Sequence, residues 1–308
     1  MSLPRIAARQ EWLAARKQLL AKEKELTRRR DALNTERRNL PMVEIEKDYI
    51  FDGPDGAVRL IDMFEGRRQL IIFHFMFDPE WEDGCPSCTA GTDELSVGFF
   101  EHLHTRDTSY AMVSRAPVAK LERWKAKRGW DIPWYSSFGT DFNYDFGVTI
   151  DEPVAPGEYN FRTKAEFEAM GSDFFASDQP FEIPGRSCLL QVDGHVFHTY
   201  SQYARVLEST GGSYYFLDLT ALGRQEEWEE PKGRSDSVTS GNVPDSDPVT
   251  FNNAGTFYGQ AVYSGDANNN GATSDWRHHE RGRHDDLQLF SPSDAMRSGS
   301  PRSPRPCT

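Results

Sequence analysis

Long apolar runs are scarce in this 308-residue sequence: the longest, Leu70 to Phe77, spans eight residues and contains His74. That is too short to cross a membrane, and no apolar core follows Met1-Ser2-Leu3-Pro4-Arg5, so neither a transmembrane helix nor a secretory signal is expected. Cysteine is sparse as well. Four cysteines, only two of them closely spaced, do not make a disulfide framework, which points to a reducing, cytoplasmic setting and to a functional close pair. Positive charge is in deficit, with a net charge of -13. Residues 1 to 40 nevertheless carry 11 Lys and Arg against 5 Asp and Glu, leaving 24 against 43 for the rest. The acidic body should repel nucleic acid.

Gly and Pro are absent from Ala8 to Leu40, where Trp12, Leu19, Leu26, Leu33 and Leu40 recur every seven residues. The pattern predicts a long helix with a narrow apolar stripe. Most positions between are Arg, Lys and Glu. The stripe therefore suits docking on the chain's own domain, or a weak homodimer contact, better than a strong zipper.

Beyond Pro41, which stops that helix, Tyr49-Ile50-Phe51 and Val58-Arg59-Leu60 flank the turn Asp52 to Gly56 and read as a hairpin. Leu70 to Phe77 reads as a strand buried on both faces. Thr92 to His104 is expected as a helix burying Leu95, Phe99 and Leu103, followed by a strand over Ser109 to Ser114 and a helix over Val118 to Arg128. That alternation implies parallel strands joined by right-handed crossovers. Pro133 to Phe138 reads as an extended or looped aromatic passage, Asp151 to Pro184 as an insertion, and Ser187 to Tyr200, turning at Asp193-Gly194, as a second hairpin. The sequence thus divides into a helical arm over 1–45, an α/β domain over 46–233, and a tail over 234–308 too poor in apolar residues to build a core.

At the end of the apolar strand stands Cys85-Pro86-Ser87-Cys88. A helix starting there puts the second thiol one turn from the first, close enough for a small disulfide. Cys85, at the positive end of the helix dipole, is the expected nucleophile, and Cys88, farther inside, the resolving thiol. Pro86 suits an early helical position. Trp81 offers a flat face to a client or shields the pair. Between Arg68 and Arg106 there is no Lys or Arg, whereas Asp78, Glu80, Glu82, Asp83, Asp93, Glu94 and Glu101 all occur. Their charge is expected to oppose the thiolate, leaving a moderately acidified, reductant-like dithiol. His74 reads as a satisfied core residue, Arg115 as half of a structural salt bridge, and Cys188 as a small buried hydrophobe. Zinc is the rival use of the pair, but no second pair supplies four ligands, so no metal is expected. His278, His279 and His284 fall in the tail.

Phe75-Met76-Phe77, Trp81 to Cys88, Val113 to Pro117, Asp141 to Val148 and Val196 to Tyr200 together resemble the thioredoxin-like proteins grouped as domain-of-unknown-function family 899. The resemblance runs from about residue 5 to 233. Members are described as predicted dithiol-disulfide oxidoreductases. It implies a thioredoxin-like α/β fold and thiol-disulfide exchange through Cys85 and Cys88, with no tightly bound cofactor. The implied partners are a protein or small-molecule disulfide and a thiol electron donor, with no nucleic acid and no membrane. A non-catalytic thioredoxin-like adaptor is the alternative. A more distant likeness is to peroxiredoxins. Their Pro and Thr/Ser at seven and three residues before the reactive cysteine are missing, since Asp78 and Glu82 precede Cys85 and Trp81 and Cys85 precede Cys88 at those distances. The place where thioredoxin-like proteins carry a cis-proline falls near Ser187, with Pro184 the nearest proline. Trp81, Pro86 and Ser187 are therefore the expected substrate-contacting residues.

In the tail, Gly255-Thr256-Phe257-Tyr258 and Ala261 to Asp266 resemble the final strands of a bacterial immunoglobulin-like repeat. A whole sandwich needs on the order of 100 residues, so a partial hairpin in an otherwise largely disordered tail is expected.

Overall fold

A computed structural model describes residues 4–230 apart from 211, 225 and 227, together with the backbone of short strands between 249 and 287. Contacts divide the chain into two compact units, Ile6–Phe216 and, separately, Met1–Arg5 with Leu217–Thr308.

The first unit opens with helix α1, Arg9–Arg38, as the uninterrupted stretch predicts. Its stripe is not covered along most of its length. Trp12, Leu19 and Leu26 stay exposed and α1 buries no residue. Its C-terminal third engages the domain, through Arg30 to the Tyr215 hydroxyl (2.6 Å) and Arg37 over the Tyr200 ring (4.6 Å). Among the described residues no helix is long and apolar enough to cross a membrane.

Strand β1, Val43–Glu44, leads to the expected hairpin of β2, Ile50–Gly53, and β3, Gly56–Arg59. Gly56 at φ 122° supplies the turn conformation that other residues avoid. Strand β4, Gln69–His74, follows. The next helical stretch is two helices, α2, Pro86–Asp93, and α3, Val97–His104, rather than one over Thr92 to His104. Ser96 makes the break: its hydroxyl accepts from the Phe99 N–H and starts α3 afresh. Strand β5, Thr108–Ser114, and helix α4, Val118–Arg128, match expectation, and Gly129 closes α4 at φ 69°. The aromatic passage contains a third parallel strand, β6, Trp134–Ser136. Its three-residue length leaves too little alternation to read from sequence.

The short helix α5, Phe142–Asp145, and β7, Thr149–Ile150, lead into the insertion. That segment holds β8, Glu158–Tyr159, β9, Arg162–Thr163, the capped helix α6, Lys164–Ala169, and β10, Phe181–Glu182. Strands β11, Gly185–Val192, and β12, His195–Tyr203, form the final hairpin.

The eight-stranded sheet runs β1-β12-β11-β4-β5-β6-β2-β3. Its centre, β12-β11-β4-β5-β6, has β4, β5 and β6 parallel, β11 antiparallel to β4, and β12 antiparallel to β11 and so running in the direction of β4. With the cysteine helix issuing from β4, this is a thioredoxin-like fold. Side-chain alternation sends Leu70, Ile72, Ala111 and Val113 to one face, against Phe64, Phe142 and Phe146. Ile71, Phe73, Phe75, Tyr110 and Met112 go to the other, against Cys88, Leu121 and Trp124. Each fully buried aliphatic or aromatic residue contributes roughly 1.5–3 kcal/mol.

The second unit holds short antiparallel strand pairs. Gly255–Gly259 pairs with Arg277–Arg281, and Val262–Tyr263 with Ala272–Thr273. The remaining expectations for 234–308, including disorder, lie outside the described residues.

Candidate active site

Parallel pairing continues beyond β4, with Phe75 N–H donating to Val113 O and Ala116 N–H to Phe77 O. The chain then loops out over Asp78 to Gly84 and returns, Cys85 N–H donating to Met76 O at 3.1 Å. This return delivers Cys85 to the C-terminal end of the central strand as the residue preceding α2, with Pro86 in the first turn. Gly84 permits the return, because a Cβ there would lie 2.8 Å from Phe75 Cε1 and 3.1 Å from Trp124 Nε1.

The loop is acidic, and α4 is basic in register with it. Lys120 Nζ donates to the carbonyls of Pro79 and Trp81, both at 2.8 Å. Arg123 and Lys120 face Glu82 at 3.5 and 3.7 Å, Lys127 reaches Asp83 at 3.2 Å, and Arg128 pairs with Asp93. Asp78 is buried and bound to Arg115 at 2.9 Å. Four of the seven carboxylates that the sequence sets against the thiolate, Asp78, Glu82, Asp83 and Asp93, are therefore matched by α4 and Arg115. Their partners come from 35 to 44 residues downstream, which a local reading of charge does not see.

The two cysteines lie 3.6 Å apart as free thiols. They are nearly buried, at 5% and 4% exposure. The Cys85 thiol is drawn down to about 6, first by its hydrogen bond with the Cys88 thiol and then by the Ser87 hydroxyl and the N–H groups of Cys88 and Ser87, against burial, which pushes it up. The Ser87 Oγ lies 3.1 Å from Cys85 Sγ. Cys88 moves far the other way, because it gives its proton to that hydrogen bond and because it is buried. Thr92 anchors the helix behind it, donating to Cys88 O at 2.8 Å.

Trp81, 39% exposed, and Pro86, also at the surface, stand on the rim of the pair's loop and helix. Ser187 is elsewhere. It has no accessible surface from which to touch a substrate, and instead bridges His74 Nε2 (2.8 Å) and Ser201 Oγ (2.7 Å) inside the sheet. His74 is the core residue expected, held by burial at about 3. Arg115 makes the expected structural bridge, and a further one to Glu182 at 2.7 Å. Glu182 was not legible as a partner. It is buried in the insertion, accepts from Thr149 and Asn143, and is raised to about 7, chiefly by burial. Cys188 lies in mid-strand, half-buried rather than buried. Among the described residues no cluster of His, Cys, Asp and Glu suits a metal ion.

A family model described as bacterial protein of unknown function (DUF899) matches residues 1–246. The chain belongs to this family. No curated protein matches the DUF899 chain in sequence. Solved structures similar to it include the peroxidoxin BcpB from Mycobacterium tuberculosis, 13% identical, covering 53% of this chain and 85% of that one with a TM-score of 0.36. Peroxiredoxin Q from Xanthomonas campestris is 12% identical over 56% of this chain and 92% of that one, with a TM-score of 0.36. BsSco, of the Sco family of cytochrome c oxidase assembly proteins, is 15% identical over 54% and 88%, with a TM-score of 0.29.

Proposed function

We propose that this DUF899 chain is a thiol-disulfide oxidoreductase with Cys85 as nucleophile and Cys88 as resolving thiol. The observation that carries the reading is the seating of two free thiols 3.6 Å apart at the start of one helix, with the Ser87 hydroxyl 3.1 Å from the Cys85 sulfur. Near neutral pH Cys85 is a thiolate, the form that attacks sulfur, and Cys88 keeps its proton until it is needed.

In the first step the Cys85 thiolate attacks a disulfide sulfur; a Cys85–substrate disulfide forms, the substrate S–S bond breaks, and one substrate thiolate leaves. Cys88 then loses its proton and attacks Cys85 sulfur, forming the Cys85–Cys88 disulfide and releasing the second thiolate. The substrate gains two electrons and the enzyme pair loses two. An external thiol donor returns them, and no bound cofactor enters. Trp81 and Pro86 are the surface against which a client lies.

Insulin reduction with dithiothreitol as donor tests this reading in the full chain. Cys85→Ser should abolish turnover, whereas Cys88→Ser should accumulate a mixed disulfide on Cys85. Equal background turnover in wild type and both variants would favour a non-catalytic adaptor.

A further inference from the structure

The sheet face that carries the dithiol also floors a separate cavity. Strand register sets Tyr110, Ile71, Cys188 and Tyr200 in one row across β5, β4, β11 and β12. Two residues along, Phe73, Arg186 and Gln202 form the next row, on the same face. Helix α1 adds Arg30, Leu33, Asn34 and Arg37, the spacing of one helical face. Leu95, Phe99 and Leu103 form an apolar wall; they were expected in the core but are only half-buried because they face this space. The volume is about 810 Å³, within the roughly 300–1,000 Å³ typical of small-molecule sites.

In a chain of net charge -13, no Asp or Glu among the described residues lines this cavity, while three arginines do. Their partners are neutral. Arg30 donates to the Tyr215 hydroxyl, Arg37 to Asn34 Oδ1, and Arg186 to Leu207 O and Thr210 Oγ1. Among the described residues none of the three is paired with a carboxylate. Two donors also find no acceptor: the hydroxyl hydrogen of Tyr110, a residue only 5% exposed whose oxygen faces Arg186, and the buried Nε of Arg37. Buried donors normally find an acceptor, and guanidinium groups match a carboxylate in geometry and charge.

We propose that this cavity binds a carboxylate with an apolar tail, of which a fatty acid is the simplest form. The head group lies on Arg37 and Arg186 beside the Tyr110 hydroxyl, and the tail lies along Ile71, Leu95, Phe99 and Leu103. The inference stands apart from thiol exchange, since it uses neither Cys85 nor Cys88.

Calorimetric titration of the full chain with dodecanoate below its micellar range should give saturable binding of one molecule per chain. Dodecyltrimethylammonium, with the same tail and opposite charge, should bind at least tenfold more weakly. The double variant Arg37→Gln/Arg186→Gln should lose at least tenfold in dodecanoate affinity. Should that variant not fold, wild-type protein supplies the second test. Iodoacetamide labelling of Cys188, read by peptide mass, should slow at least fivefold under saturating dodecanoate and be unaffected by acetate. Absence of saturable binding, equal binding of the cation, or unprotected Cys188 at dodecanoate saturation would overturn the proposal.

Discussion

Gly84 lies so close to Phe75 that a single added methyl group would stand 2.8 Å from the Phe75 ring. Phe75 itself packs against Trp134, at 4.7 Å between ring centroids, so it has little room to yield. Gly84→Ala should destabilise the fold by about 1–3 kcal/mol, the usual cost of overpacking, and should displace the chain just before Cys85. Urea denaturation measures the first effect and insulin reduction the second; a fully stable, fully active variant would contradict this packing.

Ser87 supplies a hydroxyl to Cys85 sulfur at 3.1 Å. Hydrogen bonds to a charged group are worth about 1.5–3 kcal/mol, so Ser87→Ala should raise the Cys85 pKa by about one unit or more. At pH 6 the alkylation rate of Cys85 should fall several-fold, whereas above pH 8 wild type and variant should converge. A uniform loss at every pH would mean that Ser87 acts on access instead.

Arg115 holds Asp78 and Glu182 together, all three side chains at 13% exposure or less. Removing it in Arg115→Met leaves two buried carboxyl groups without their cation, at a cost of about 3–5 kcal/mol. Glu182→Gln should cost much less, because Glu182 already holds its proton up to about pH 7. Denaturant midpoints for the two variants should therefore separate clearly, and coincident midpoints would count against the ion cluster.

His74 and Glu182 pull stability in opposite directions with pH. Folded His74 stays neutral to about pH 3 although an ordinary histidine protonates near 6.5, so its contribution is full above 6.5 and is lost as pH falls. Folded Glu182 titrates at about 7 against an ordinary 4.5, so its contribution is full below 4.5 and is lost as pH rises through 7. Between pH 4.5 and 6.5 the two slopes oppose, each at most about 1.4 kcal/mol per pH unit. His74→Gln should become more stable, relative to wild type, as pH falls through this window, and Glu182→Gln less stable. Parallel urea-denaturation profiles for all three proteins would contradict both assignments.

Strong local signals carried through from sequence to structure. The Gly- and Pro-free stretch gives α1, Gly129 ends α4, and the apolar run before Cys85 gives β4 and the return to the dithiol. Features built by distant partners did not. The acidic loop reads as hostile to a thiolate until α4 brings Lys120, Arg123 and Lys127 alongside it. Ser187 reads as a surface contact until β12 covers it and Ser201 takes its hydroxyl. The arginine-lined cavity needs residues from α1 and β11, about 150 residues apart, and no spacing rule in sequence joins Arg37 to Arg186.

The central claim is that Cys85 is the thiolate and Cys88 the protected thiol. Iodoacetamide labelling of the reduced full chain between pH 4.5 and 10, resolved by peptide mass, measures both directly. Cys85 should label with a midpoint near pH 6, and Cys88 should lag with a midpoint well above 9. A Cys85 midpoint near the ordinary value of 9.0, or faster labelling of Cys88, would contradict the account.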